Sequence, residues 1–168
     1  RTLGGSSSIN AMIYIRGSRA DYDGWASAGA TGWGWEDVLP YFRKAQDQQR
    51  GADSYHATGG PLTVSDLRYK NPLSQSFLDG AAELQLPANA DFNGARQEGA
   101  GYQQLTARNG RRCSTATGYL KPVLHRENLT VLTDALVLKV LFEGKKANGI
   151  ECETEQKRIT VKANREVI

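Results

Sequence analysis

The sequence predicts an α+β fold on three observations: two stretches carry apolar residues at helical spacing, the last third alternates in β-rich runs, and glycine, asparagine and proline punctuate what lies between. The chain opens with R-T-L-G-G-S-S-S-I-N-A-M-I-Y-I-R-G. Gly4 and Gly5 let the main chain turn and approach a ligand closely. Ser6, Ser7 and Ser8 bring hydroxyls, and Asn10 offers donor and acceptor beside the apolar Ala11, Met12, Ile13 and Tyr14. That order suits the polar edge of a flat ring. By composition alone a surface turn or linker is the competing reading.

Aromatic residues crowd the next stretch: Tyr14, Tyr22, Trp25, Trp33, Trp35, Tyr41 and Phe42. Their spacing predicts a local packed core rather than a stacking platform. Val38, Tyr41, Phe42 and Ala45 recur at i, i+3, i+4 and i+7, which predicts an amphipathic helix from about Trp35 to Gln46, with Pro40 near its first turns or bending it. Gln46 to Gly60 is polar and reads as a loop, and Pro61 to Ser65 as a short strand. Asn71 before Pro72 marks a helix start, because Asn caps free amides and proline at the first position forfeits no bond. Leu73, Phe77, Ala81 and Leu84 line one face of that helix.

From Gly101 to Arg108 comes a strand candidate, then a turn at Asn109-Gly110 and a short helix from Thr115 to Leu120, capped by Ser114 and ended by Pro122. Leu129 to Thr133 and Leu136 to Phe142 read as strands, and Glu143 to Lys146 as a turn. Beyond it Ile150, Cys152 and Thr154 alternate with Glu151, Glu153 and Glu155, whose carboxylates are expected to face Arg158 and Lys162 after a turn near Gln156.

Over 168 residues the net charge is +3, and basic side chains are dispersed among acids, which argues against a nucleic-acid face. No apolar stretch approaches the ~18 to 20 residues of a spanning helix. Cys113 and Cys152 lack any metal-ligand spacing and read as free thiols in a reducing compartment, so no metal is expected. His56 and His125 have no acid or Asn at a local spacing that tunes them and read as exposed or structural. Ser6 to Ser8 lack the G-x-S-x-G turn of a serine nucleophile.

The opening string resembles the first signature of the glucose-methanol-choline (GMC) flavin oxidoreductases: Gly-Gly-Ser, an Asn four residues beyond that Ser, and an apolar run to Arg-Gly. Gly4, Gly5, Ser6, Asn10, Arg16 and Gly17 occupy those places. Gly99 to Pro122, G-A-G-Y-Q-Q-L-T-A-R-N-G-R-R-C-S-T-A-T-G-Y-L-K-P, is similar to the family's middle region, and N-L-T-V-L-T-D-A-L-V-L-K-V from Asn128 continues it. Several unrelated strings in the right order are far more specific than one glycine motif. The family's pyrophosphate-binding G-x-G-x-x-G does not occur in the 168 residues, and neither does its C-terminal catalytic His region. The chain therefore reads as an internal fragment without catalytic residues of its own, its catalytic His pair expected C-terminal of it.

The resemblance implies an α+β piece in three parts. Residues 1–17 are an FAD-binding loop segment, 18–127 part of the antiparallel-sheet substrate-binding domain, and 128–168 a β-meander and the start of a strand of the FAD-binding domain. It implies FAD as cofactor, with Gly4, Gly5, Ser6, Asn10, Ala11, Met12 and Ile13 against or beside the flavin and Val137 near the adenine. It also implies oxidation of a primary alcohol, choline or another aliphatic or aromatic one, to the aldehyde by hydride transfer to flavin N5. Some family members tether FAD through a His where this chain has Ile9, so the flavin is expected to be non-covalent. Ala11 matches a position that can face substrate, and its small side chain leaves room for a larger or apolar alcohol. The setting expected is cytoplasmic or peripheral to an inner membrane, and self-association of the fragment is expected. A stand-alone, non-catalytic α+β binding module is the alternative.

Overall fold

The computed structural model describes residues 1–155 and 157–168, which form two compact units, Arg1–Leu124 and His125–Ile168. In the first unit a 3-10 turn at Gly5–Ser8 leads into an extended stretch, followed by helices α1 (Arg19–Ser27) and α2 (Trp35–Ala45). Helix α1 was not expected from periodicity. Its signal is the capping box Ser18-x-x-Asp21: the Asp21 carboxylate accepts from the Ser18 backbone N–H at 2.6 Å while the Ser18 hydroxyl receives the Asp21 N–H. Helix α2 forms where the spacing predicts it, and Pro40 lies inside it. The expected local aromatic core forms only in part: Tyr22 meets Trp25, Trp35 and Phe42 with ring centroids 5.3, 5.8 and 5.7 Å apart, and Tyr22 and Trp35 are buried, but Trp25, Trp33 and Tyr41 are exposed.

Strand β1 (Gln46–Gln48) follows α2 directly and pairs in parallel with β2 (Leu62–Val64). This corrects the reading of 46–60 as wholly loop. Every β1 residue is polar, so no alternation of apolar and polar residues marks it, yet Gln46 and Gln48 are buried. Much of the interior of this unit is polar. Gln48 Nε2 donates to Gln104 Oε1 at 2.8 Å, Gln104 Nε2 returns to Gln48 Oε1 at 3.1 Å, and Gln104 Nε2 also reaches Asp66 Oδ1 at 2.7 Å. Burial pulls the Asp66 carboxyl upward, but its bonds to Arg50 and Gln104 outweigh that and hold it below the ordinary value.

Helix α3 (Pro72–Glu83) starts as expected, with Asn71 Oδ1 accepting from the Leu73 N–H at 2.9 Å. Its apolar line does not form a core in this chain: Ala81 is buried, but Leu73, Phe77 and Leu84 are exposed. The strand expected over 101–108 condenses to bridges at Leu105 and to β3 (Ala107–Arg108), which turns through Asn109-Gly110 into antiparallel β4 (Arg111–Arg112). Both turn residues have positive φ, 51° and 76°, as an Asn-Gly hairpin turn requires. Ser114 caps the following turn, accepting the Thr117 N–H at 3.3 Å. That turn is a π-helical stretch (Ala116–Leu120) running into a 3-10 turn that contains Pro122, rather than a helix that Pro122 ends.

In the second unit β5 (Leu136–Glu143), β6 (Lys146–Glu153) and β7 (Arg158–Lys162) form an antiparallel meander. The turn at 143–146 forms as expected, with Gly144 at φ 59°. Residues 129–133 are not a strand: Leu129 N–H is taken by Arg126 O in a turn, and no neighbouring strand among the described residues pairs with them. Arg158 meets Glu153 at 3.3 Å across the hairpin, but Glu151 pairs with Lys139 on the other side, at 3.6 Å. Gln156, about which the turn there was expected, lies outside the described residues.

Candidate functional site

The Gly4–Asn10 loop is held from behind by the segment that follows the Asn109-Gly110 hairpin. Thr115 Oγ1 donates to Gly4 O at 3.2 Å, and Thr115 N–H donates to Ser7 Oγ at 2.9 Å. The Ser8 hydroxyl closes the loop on itself by donating to Leu3 O at 2.8 Å. Thus two of the three serines are structural, while the exposed Ser6 has no side-chain bond among the described residues. Gly4, at φ 91°, has a place for a Cβ only 3.2 Å from the Ala116 Cβ, so a side chain there strains both backbone and contact. Gly5 is exposed, and the space where a Cβ would stand is open.

Past the loop, residues 12–14 run antiparallel to 104–106: Tyr14 N–H donates to Gln104 O at 2.9 Å and Thr106 N–H to Met12 O at 2.8 Å. The bonds of that ladder use the even-numbered residues. The N–H groups of Ala11 and Ile13 therefore have no acceptor among the described residues. Asn10 Oδ1 takes the Met12 N–H at 3.0 Å, and Met12 has φ 64°, a conformation that costs a non-glycine residue on the order of 1 to 3 kcal/mol and that clusters at functional sites. Ile9, Ala11, Ile13 and Ile15 are exposed and lie on alternate positions of this stretch. Asn10, Ala11 and Ile13 thus bring unbonded donors (Asn10 Nδ2 and the Ala11 and Ile13 N–H groups) together beside apolar surface, while the Met12 N–H is spent on Asn10 Oδ1. Val137 lies in the other unit, on β5, paired with Cys152 and half-exposed.

Two arginines pin the stretch. Arg16, buried, donates to Tyr55 O at 2.8 Å, Gln46 Oε1 at 2.7 Å and Tyr14 Oη at 3.2 Å, while its own N–H bonds Asn93 Oδ1 at 2.8 Å. Arg112 reaches Ser7 O and Asn10 from the hairpin. Neither role could be read locally, because the partners lie tens of residues away. The same holds for His56, which is buried with Nε2 2.9 Å from Asp91 Oδ2. His56 is thus structural, but with an acid partner that no local spacing announces. His125 is exposed. Both cysteines carry free, buried thiols; among the described residues no three His, Cys, Asp or Glu cluster as metal ligands, and no helix is long and apolar enough to cross a membrane.

The GMC oxidoreductase family matches residues 1–168. An alcohol dehydrogenase (acceptor) of Pseudomonas putida is 49% identical over 151 residues, 89% of this chain and 27% of that protein. The mitochondrial choline dehydrogenase of Mus musculus is 47% identical over 100% of this chain and 28% of its own length. Among solved structures, an FAD-dependent oxidoreductase from Chaetomium thermophilum has a TM-score of 0.86 at 28% identity, covering 95% of this chain and 30% of that one. The chain spans less than a third of the length of these relatives. With a match along its whole length, the chain belongs to the GMC oxidoreductase family.

Proposed function

We propose that the chain is a segment of an FAD-dependent dehydrogenase or oxidase of primary alcohols, choline or another aliphatic or aromatic alcohol, and that residues 4–13 cover the flavin. The observation that carries this reading is the edge of unbonded donors at Asn10 Nδ2, Ala11 N–H and Ile13 N–H, near Gly5, whose outer side is open to close approach. A flavin ring presents carbonyl and ring-nitrogen acceptors along one edge, so this donor set fits it. When bound, the flavin supplies the hydride acceptor for an alcohol whose hydroxyl proton a base removes.

The chain's own residues orient and exclude water. Asn10, Ala11 and Ile13 direct donors at the ring edge, and the exposed apolar side chains of Ile9, Ala11, Ile13 and Ile15 keep the neighbouring space dry, which strengthens each of those bonds. Residues 1–17 serve as flavin-binding loop, 18–127 as substrate-domain segment and 128–168 as a flavin-domain meander, with Val137 near the adenine. The names of the alcohol and choline dehydrogenase relatives support the substrate class.

The test is Asn10→Ala in the full-length enzyme. Loss of one preorganised donor costs on the order of 2 to 4 kcal/mol of barrier, so rapid mixing should show flavin reduction slowed about 30- to 10³-fold with the substrate constant moving less. Unchanged reduction removes Asn10 from the flavin edge.

A further inference from the structure

Arg112 stands on β4, 102 residues beyond Asn10, and spends its guanidinium on that one loop. Nη1 donates to Asn10 Oδ1 at 2.8 Å and to Ser7 O at 3.0 Å, and Nη2 donates to Asn10 O at 2.7 Å. A guanidinium only donates, so it decides which end of the Asn10 amide faces it: the oxygen. Met12 N–H, the second donor to Oδ1, acts in the same sense. With Oδ1 bonded on both sides, the Nδ2 hydrogens are turned away from the loop's own frame and left for a ligand. Among the described residues no carboxylate comes within 4 Å of Arg112, so its charge is not spent on an ion pair. A cation bonded to the oxygen of an amide polarises it and strengthens the N–H bonds on its other end.

We propose that Arg112 is a positioning residue for the reaction: it fixes and polarises Asn10 so that the Nδ2 hydrogens meet the carbonyl edge of the flavin as strong donors. The proposal rests on the reading of Asn10 as a flavin donor. It assigns to Arg112 no contact with flavin or substrate. Because a stronger donor favours the electron-rich reduced ring, Arg112 raises the flavin's midpoint potential through Asn10.

A double-mutant cycle in the full-length enzyme tests it, with flavin potential and absorption spectrum read beside the rate of flavin reduction. Asn10→Ala and Arg112→Ala should each lower the potential and slow reduction. Adding Arg112→Ala to Asn10→Ala should change the rate by less than about twofold, because the arginine acts through the asparagine. Arg112→Lys, which keeps a charge but loses the fork, should give a smaller shift in the same direction, and it decides the question if Arg112→Ala does not fold. If Asn10→Ala has its effect while both Arg112 variants leave potential and spectrum unchanged, or if the two effects multiply, the proposal is overturned and the Asn10 reading stands. If Asn10→Ala itself moves neither potential nor rate, the flavin reading of Asn10 fails, and the role of Arg112 with it.

Discussion

His56 and Asp91, 35 residues apart in sequence, meet with Nε2 2.9 Å from Oδ2 inside a polar interior. The other ring nitrogen faces Gln46 Oε1 at 3.0 Å, and that oxygen is itself turned toward the ring's side by the donor-only Arg16 at 2.7 Å. One chain of bonds therefore links Arg16, Gln46, His56 and Asp91. The bond from His56 holds the Asp91 carboxyl below its ordinary value of 3.8; burial works against this, and the Asn93 N–H adds to it. A depressed carboxyl contributes stability that is fully present above the unfolded value and is lost as pH falls through the lower folded one. Asp91→Asn should thus lower the melting temperature most above pH 3.8, and the gap to wild type should close below it. A gap that stays constant from pH 6 to pH 3 contradicts this account.

The same network marks where sequence reading stops. Asn71-Pro72, Asn109-Gly110 and the turn about Gly144 act within a few residues and were legible because their chemistry is local. The core of the first unit was not. Gln46, Gln48 and His56 look like loop residues until partners 10 to 56 residues away, Gln104 and Asp91 among them, satisfy them, and a reading based on hydrophobic periodicity leaves them outside. Leu129 to Thr133 failed for the opposite reason: its β-propensity is real, but a strand also needs a neighbour to take its bonds. At the site, the family pattern picks out Asn10, whereas the Arg112 that orients it sits in a string whose spacing says nothing of the contact.

Gly101 tests how tightly the loop carrying Asp91 and Asn93 is closed. Asn89 N–H donates to Ala100 O at 2.8 Å and Ala100 N–H to Pro87 O at 2.9 Å, so a Cβ on Gly101 runs directly into the Asn89 carbonyl. Gly101→Ala should cost about 1 to 3 kcal/mol in denaturant unfolding. Gly80, inside α3 with open space around it, is the control: Gly80→Ala should gain about 0.5 to 1 kcal/mol from helix propensity. Equal effects at both positions would show that the Asn89 carbonyl yields freely.

Leu73 and Phe77 on helix α3 and Leu84 at its C-cap are 78%, 73% and 77% exposed, an apolar face left largely uncovered by the described residues. Produced alone, the chain should cover that face by self-association, since contiguous exposed apolar surface favours contact over water. Light scattering should show dimers or larger species, and Phe77→Asp with Leu73→Glu should shift them toward monomer. A monodisperse monomer at high concentration, in the unsubstituted chain, refutes the expectation.

Ile9 bears on how the cofactor is held. Its hydrocarbon side chain, 78% exposed beside Asn10, offers no atom able to bond carbon of a flavin ring. Acid or heat precipitation of the full-length enzyme should therefore release yellow flavin into the supernatant. Colour that stays with the washed pellet means a covalent link, made by a residue outside this chain.

In the proposed reading, Ala11 is the residue of this stretch that faces the alcohol. It is exposed, its N–H has no acceptor among the described residues, and its neighbours on alternate positions are Ile9 and Ile13. If its methyl faces the alcohol, then Ala11→Phe fills space that a bulky substrate needs while leaving the donors on Asn10 and Ile13 in place. The added ring should exclude bulky alcohols and spare small ones, because pocket shape discriminates by size more sharply than it alters the electronics of the reaction. Asn10→Ala should do the reverse, slowing both alcohols alike. Rapid mixing of each variant with one small and one bulky primary alcohol separates the two roles. If Ala11→Phe slows both alcohols equally, Ala11 does not face substrate, and the apolar positions around it serve only to pack the loop.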